Sequence, residues 1–331
     1  MGSHFSQRVT CRRPEYMPEY IASRADVDMR SFEGQTIRDS YQLQSYIGEG
    51  NFGAVFKGTQ LFLDLPIRTV AIKFSRYTNL DAETARQIFA DAFVLARLME
   101  ELNDPEVCQH LVHVYDMGID PQREKRGFIV MEYVEGTTLA AHMATLGHVP
   151  ALLLLNWIRQ ICTTLQGLHA LEPPLIHRDL KPDNIILGHD GIIRVVDFGL
   201  AARLMSQGHV RGIVGALGYM APETMLGESI PASDIYSIGL MLYEGLTGKH
   251  PFLTRASLAS QSFMQRDRWY KQLRMARLIP PSHLNNTASA TLDTIVARCL
   301  HFYPNKRYAD IGELLADLNG VYAKIKATGN N

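Results

Sequence analysis

The sequence predicts a two-lobed α+β molecule with a cleft between the lobes. Three observations carry that prediction. From Tyr41 to Phe74 the chain runs in short β-type stretches broken by glycines. A single helix-period stretch and two further strand-like runs follow, and beyond Gly136 the character is mostly helical. A length of 331 residues with 46% hydrophobic content suffices to bury a core in each part.

Residues 1–40 are rich in Arg, Glu, Asp, Met and Tyr and hold no sustained period, so they read as an N-terminal extension or a partly disordered tail. The first β-type runs are Tyr41–Ile47, Ala54–Thr59 and Thr69–Phe74. Ile88, Ala92, Leu95, Ala96 and Met99 then form the apolar stripe of one long helix, with Asp81 placed to cap its start. Val112–Met117 and Phe128–Tyr133 complete a small lobe of about 41–133. The larger lobe, about 136–322, reads as helices over Leu152–Leu171, Asp234–Leu246, Ser289–Leu300 and Ile311–Tyr322, with a short tail at 323–331.

Charge and cysteine usage exclude several classes. The formal net charge is −1, from 33 basic and 34 acidic residues, so no sequence-wide attraction to nucleic acid or anionic membrane is implied. Cys11, Cys108, Cys162 and Cys299 are scattered without a C-x-x-C pair, which fits a reduced, cytoplasmic protein better than a zinc site. The apolar run around Ala151–Leu155 stops at Asn156 and Arg159, far short of the roughly 20 residues of a membrane span. The N-terminal residues lack the apolar stretch of a secretory signal, and no membrane contact is expected from this segment. Arg266, Arg268, Lys271, Arg274 and Arg277 alternate with Phe263, Trp269 and Tyr270. That stretch reads as the solvated face of a helix rather than a nucleic-acid surface, with substrate docking as the other reading.

Gly48-Glu49-Gly50-Asn51-Phe52-Gly53-Ala54-Val55 is a G-x-G-x-x-G-x-V run. Glycines at this spacing also mark plain hairpin turns. Because a β-type run follows rather than a helix, a hairpin covering phosphates is preferred over a dinucleotide fingerprint. Val70-Ala71-Ile72-Lys73 places a lysine in an apolar strand, where an exposed edge position is the ordinary reading. Further on stand Ile176-His177-Arg178-Asp179-Leu180-Lys181-Pro182-Asp183-Asn184 and Val196-Asp197-Phe198-Gly199. Their order and spacing leave little room for a mere surface cluster of ion pairs.

With these motifs the chain resembles the eukaryotic-type (Hanks-type) serine/threonine protein kinase family, and its bacterial members in particular. The matching motifs extend from Gly48 to Arg307. The resemblance implies a bilobal protein kinase fold that binds ATP with Mg²⁺, Mn²⁺ serving as a substitute. It also implies transfer of the γ-phosphoryl group to serine or threonine hydroxyls of a protein substrate, with self-phosphorylation included. Lys73 would hold the α and β phosphates under a roof of Gly48, Gly50 and Gly53. Asn184 and Asp197 would ligate the metal, a hard cation that prefers oxygen. Asp179 would orient the attacking hydroxyl and take its proton, while Lys181 would neutralise the γ-phosphate. Phe128–Val134 resembles the fifth strand and hinge, so Met131 would be the gatekeeper, with the Glu132 carbonyl and the Val134 amide pairing the adenine edge. Ile47, Val55, Ala71 and Ile186 would sandwich the base, although as residues alone they read equally as ordinary core. Ala221-Pro222-Glu223, Arg307 and Asp234 match structural positions of the large lobe, and Lys181-Pro182 favours serine and threonine over tyrosine.

Two departures stand out. The family's helix glutamate that pairs with the strand lysine corresponds here to Asp91, one methylene shorter. Its place on the apolar stripe favours Lys73 as its partner over a solvated position. The threonine expected before the Ala-Pro-Glu stretch is replaced by Ala216, and Ser206 is the sole hydroxyl-bearing Ser or Thr between Asp197 and Glu223. Either Ser206 is the phosphorylation switch or activity needs none. These departures motivate an alternative, a nucleotide-binding pseudokinase or scaffold. A small-molecule kinase is a third reading, disfavoured by Glu223, Asp234 and Arg307.

Overall fold

The computed structural model describes residues 27–50, 53–198, 200–204, 209–211, 215–252 and 277–328, and only the backbone at 87, 88, 90, 91 and 211. Several expectations therefore lie outside the described residues: the Asp91 side chain, Asn51 and Phe52, Gly199, Ser206, and the aromatic and basic stretch from Phe263 to Arg274.

The small lobe is a six-stranded sheet in the order β1-β2-β3-β4-β6-β5. Its strands are β1 Thr36–Ile37, β2 Tyr41–Glu49, β3 Gly53–Phe62, β4 Leu65–Ser75, β5 Val114–Asp120 and β6 Arg126–Glu132. Period-two patterning assigns its two faces. Ala54, Phe56, Val70, Ile72, Phe74, Phe128 and Val130 pack on one face with Met29, Ile37, Tyr41 and Leu43. The alternate residues Val55, Ala71, Lys73, Ile129 and Met131 share the other, in the registers Val55↔Lys73, Lys73↔Ile129 and Ala71↔Met131.

The lobe begins earlier than the sequence suggested. A 3-10 turn over Met29–Phe32, capped by Asp28, lays Met29 and Phe32 on the first face, and β1 pairs antiparallel with β2. Residues 28–40 are thus part of the sheet layer rather than an arm. Their apolar residues are too widely spaced to show a period.

The long helix is in fact two, α1 Ala82–Ile88 and α2 Ala90–Glu101, divided at Phe89. Asp81 caps α1 as expected, accepting from the Thr84 amide at 2.8 Å. Leu95 and Leu98 of α2 join Ile129, Met131 and the large-lobe helices in one continuous core, which ties the lobes together.

In the large lobe, α3 Pro105–Cys108 and α4 Leu139–Leu146 precede α5 Ala151–His169, whose apolar face runs from Leu154 to Leu168. Beyond the short α6 Pro222–Met225, helix α7 Pro231–Thr247 is buried nearly all round, as a central helix must be. Helices α8 Ala290–Cys299 and α9 Ile311–Thr328 close the lobe, α9 running through most of the expected 323–331 tail. Cys162 and Cys299 are buried free thiols whose ionisation burial pushes up, as expected of inert core cysteines. Short strand β7 Gly136–Thr138 pairs with β9, and strands β8 Leu175–Ile176, β9 Ile185–Gly188 and β10 Ile193–Val195 carry the loops that face the small lobe. Among the described residues, no helix is long and apolar enough to cross a membrane.

Candidate active site

The loop between β8 and β9 presents Asp179, Lys181 and Asn184 together. Lys181 Nζ lies 2.6 Å from Asp179 Oδ2, and Asn184 Nδ2 donates to the same oxygen at 3.1 Å and to the Asp179 carbonyl at 2.8 Å. Burial alone would lower the Lys181 ammonium, but the charge and hydrogen bond of Asp179 outweigh it and raise its pKa. Lys181 therefore stays cationic where negative charge would gather.

Across the cleft, Lys73 Nζ reaches Asp197 Oδ1 at 3.4 Å, joining residues 124 positions apart. The Lys73 ammonium, opposed by burial and helped by Lys181, holds the Asp197 carboxyl below the usual carboxylate range. Asp197 (φ 65°) and Arg178 (φ 68°) both sit in the left-handed region. Such backbone costs a non-glycine residue about 1 kcal/mol and concentrates at working sites.

The loop is fixed from below by Asp234 at the start of α7, with 1% of its surface exposed. Its Oδ2 accepts from the His177 amide at 3.0 Å and pairs with His169 Nε2 at 2.9 Å, and its Oδ1 accepts from the Arg178 amide at 3.2 Å. Burial would raise the Asp234 carboxyl; His169 and the His177 amide reverse that and lower it. His169 thus braces the loop through Asp234. His177 is buried, and desolvation lowers its pKa.

Ala216 does not abolish the contact expected of a threonine. Its backbone amide donates to Asp179 Oδ1 at 2.8 Å, so the main chain supplies the bond. The turn that aims this amide needs Gly215, at φ +106°, where a Cβ would stand 2.5 Å from the Arg178 carbonyl.

A family model described as the protein kinase domain matches residues 41–317. The chain belongs to the protein kinase family. It is similar to the serine/threonine-protein kinase PknB of Mycolicibacterium smegmatis, 32% identical over 296 residues, covering 87% of this chain and 44% of that protein. Against PknB of Mycobacterium tuberculosis the identity is 33% over 294 residues, covering 86% and 43%. Against PrkC of Bacillus subtilis it is 36% over 224 residues, covering 66% and 32%. The chain spans less than half the length of these curated relatives.

The rest of the kinase cleft follows from the sheet. Gly48 pairs with Val55 across the glycine-rich hairpin, with a bulge at Ile47, and the Gly50 amide donates to the Gly53 carbonyl at 2.8 Å. Ile47 is 53% exposed, while Val55, Ala71 and Ile186 are half-buried beside fully buried neighbours. Incompletely covered apolar side chains from the small-lobe sheet (Ile47, Val55, Ala71) and from the large-lobe strand β9 (Ile186) suit the two faces of a flat ring. Met131 is buried opposite Ala71, and Glu132 and Val134 lie at and just beyond the end of β6. The Glu132 carboxylate receives the His113 amide at 3.3 Å and sits 3.5 Å from Arg194 Nε of β10, which ties the hinge to the large lobe.

The donor set fits a hard divalent cation. Asn184 spends its amide nitrogen on Asp179, which turns its oxygen into the donor, and Asp197 uses Oδ1 toward Lys73, leaving Oδ2. Two protein oxygens are too few for an all-protein cage, so phosphate and water would complete the shell. Behind the site, Arg307 binds Glu223 through both terminal guanidinium nitrogens, at 2.7 and 2.8 Å. Among the residues the sequence reading missed are His169, the Ala216 amide and Arg76, which contacts Glu49 and Gly50 in the glycine-rich turn. None of the three belongs to a motif.

Proposed function

We propose that this chain transfers the γ-phosphoryl group of ATP to serine or threonine hydroxyls of protein substrates, itself among them. The observation that carries the proposal is the convergence of Asp179, Lys181 and Asn184 within 3.1 Å, beside an Asp197 that pairs across the cleft with Lys73 of the small lobe. Asp179 orients the hydroxyl and accepts its proton as the oxygen attacks phosphorus and the bond to the β-phosphate oxygen breaks, releasing ADP. Lys181 meets the charge on the γ-phosphate, and Lys73 steadies the α and β phosphates. Asn184 and Asp197 would hold Mg²⁺, or Mn²⁺ in its place, which when bound neutralises triphosphate charge. Ile47, Val55, Ala71 and Ile186 would enclose adenine, with Met131 behind it and Glu132 and Val134 along its edge. Dependence on ATP makes this a cytoplasmic reaction, with a protein rather than a nucleic acid as acceptor.

The test is incubation with radioactive ATP and Mg²⁺ of wild type and Asp179→Asn, with and without a generic basic protein. Wild type should label serine or threonine, and the variant should fall by about 10³-fold or more while still binding ATP. ATP binding without turnover by wild type would transfer the chain to the scaffold reading. Phosphotyrosine alone would overturn the acceptor.

A further inference from the structure

We infer that Glu49 and Arg76 form an ion-pair clasp that positions the glycine-rich hairpin over the nucleotide phosphates, and that residues 28–37 brace it; the nucleotide in this statement rests on the phosphotransfer reading above. Arg76 stands three residues past Lys73, just beyond the end of β4. Its Nη2 reaches the Glu49 carboxylate and also donates to the Gly50 carbonyl at 3.1 Å. One guanidinium thus grips two consecutive residues of the turn.

The other side of Glu49 is held as well. The Tyr46 hydroxyl donates to Glu49 Oε2 at 3.4 Å, while Arg76 takes Oε1. Tyr46 in turn is held by the chain before β2: its amide donates to Glu33 Oε1 at 2.5 Å, and the Arg30 guanidinium lies 5.0 Å from its ring centre. A second route runs beneath the sheet. Buried Arg126 donates to the carbonyls of Ser75 and Arg76 at 3.2 and 3.0 Å, and it lies 5.3 Å from the Phe32 ring centre. The 3-10 turn Met29–Phe32 therefore touches both anchors of the clasp, although it precedes the family match at residue 41.

The hairpin needs such a clasp. A Cβ at Gly48 or Gly50 would meet nothing within 4 Å, so no side-chain packing holds that strand of the turn. Arg76 Nε is buried with no hydrogen-bond partner among the described residues, so Nη2 carries the polar contacts that aim the group. Glu49 remains 39% exposed, which keeps the pair partly screened and able to open as nucleotide enters or leaves. Holding the hairpin ready lowers the ordering cost of binding phosphates.

The experiment compares wild type, Arg76→Ala and the reversed pair Glu49→Arg/Arg76→Glu in two measurements. Hydrogen exchange on nucleotide-free protein should speed up about fivefold over residues 46–56 in Arg76→Ala and slow again in the reversed pair. Titration should show ATP affinity falling about fivefold in Arg76→Ala with adenosine affinity unchanged, because the hairpin covers phosphates rather than base. The double variant Arg30→Ala/Glu33→Gln should shift exchange in the same direction by a smaller factor; no shift removes the brace. Unchanged exchange in Arg76→Ala, or equal losses for ATP and adenosine, would overturn the clasp. Wild type that binds neither nucleotide overturns the phosphotransfer reading instead, while the exchange data still decide the clasp.

Discussion

The catalytic loop and the glycine-rich hairpin face the same cleft and are built in opposite ways. Around Asp179 the carboxylate is held by Lys181, Asn184 and the Ala216 amide, and the His177 and Arg178 amides end on a buried carboxylate from α7. Around Gly48 and Gly50 there is open space, and the hairpin is held by a partly exposed ion pair and one tyrosine hydroxyl. The difference teaches where rigidity is needed. Charged groups that must meet a developing negative charge gain most from being fixed beforehand. A cover that must admit a triphosphate gains from contacts that open at small cost.

The largest effect should come from breaking the rigid side. Asp234→Asn puts a donor where Oδ2 serves both the His177 amide and His169, or where Oδ1 serves the Arg178 amide. Leaving such buried groups unmatched costs about 3 kcal/mol, and misplacing Asp179 should lower kcat about 10²-fold. Denaturant melts and initial-rate kinetics read the two quantities. A variant with wild-type stability and kcat would show that the loop holds itself.

The rigid side meets the hairpin at Gly53, whose φ is +155° and whose added Cβ would stand 2.0 Å from the Phe74 carbonyl. Gly53→Ala should lose about 2 kcal/mol or more of stability, measured by urea melts. This end of the hairpin belongs energetically to the sheet. A small loss would move the boundary between rigid and loose one strand inward.

Much of this was legible in the chain itself, because the family motifs are local. Lys73, Asp179, Lys181, Asn184 and Asp197 stand in short runs whose side-chain types and order suffice to assemble the site. What escaped was carried by backbone or by single residues. Ala216 looks like a lost contact until its amide is seen on Asp179. Arg76 is an arginine after a strand, with no pattern to mark it. Residues 28–37 fold onto the sheet through Met29, Phe32 and Ile37, spaced too irregularly for a helix or strand period. The break at Phe89 was also invisible, since the apolar stripe continues through it.

A gentler probe of the rigid side is pH. His250 donates through Nε2 to the Gly218 carbonyl at 2.8 Å, and its Nδ1 accepts the Phe252 amide at 3.3 Å, so the neutral ring satisfies both. Burial pushes its pKa down to about 4, against a small opposing effect of the Gly218 carbonyl. The unfolded chain therefore binds the proton more readily than the folded one between about 6.5 and 4, and stability falls as pH drops through that window. This group contributes a slope of at most about 1.4 kcal/mol per pH unit. Melts of wild type from pH 7 to 4.5 should steepen relative to His250→Gln, and parallel curves would remove His250 from the account.

The smallest effect on folding belongs to the loose side. A Cβ at Gly48 meets no atom within 4 Å, and the residue does not sit at positive φ, so Gly48→Ala should change stability by less than about 0.5 kcal/mol. Its strand position even disfavours glycine on entropic grounds. The methyl group would instead occupy space that a nucleotide needs, so KM for ATP should rise about threefold with kcat held, a loss of uniform binding. The contrast with Gly53→Ala is the decisive comparison, because the two glycines lie in one motif and substitution adds the same atom to each. If Gly48→Ala destabilises as much as Gly53→Ala, the hairpin is one rigid unit and the division drawn between its two strands fails. If it leaves both stability and KM unchanged, the space above Gly48 is solvent rather than the path of the triphosphate.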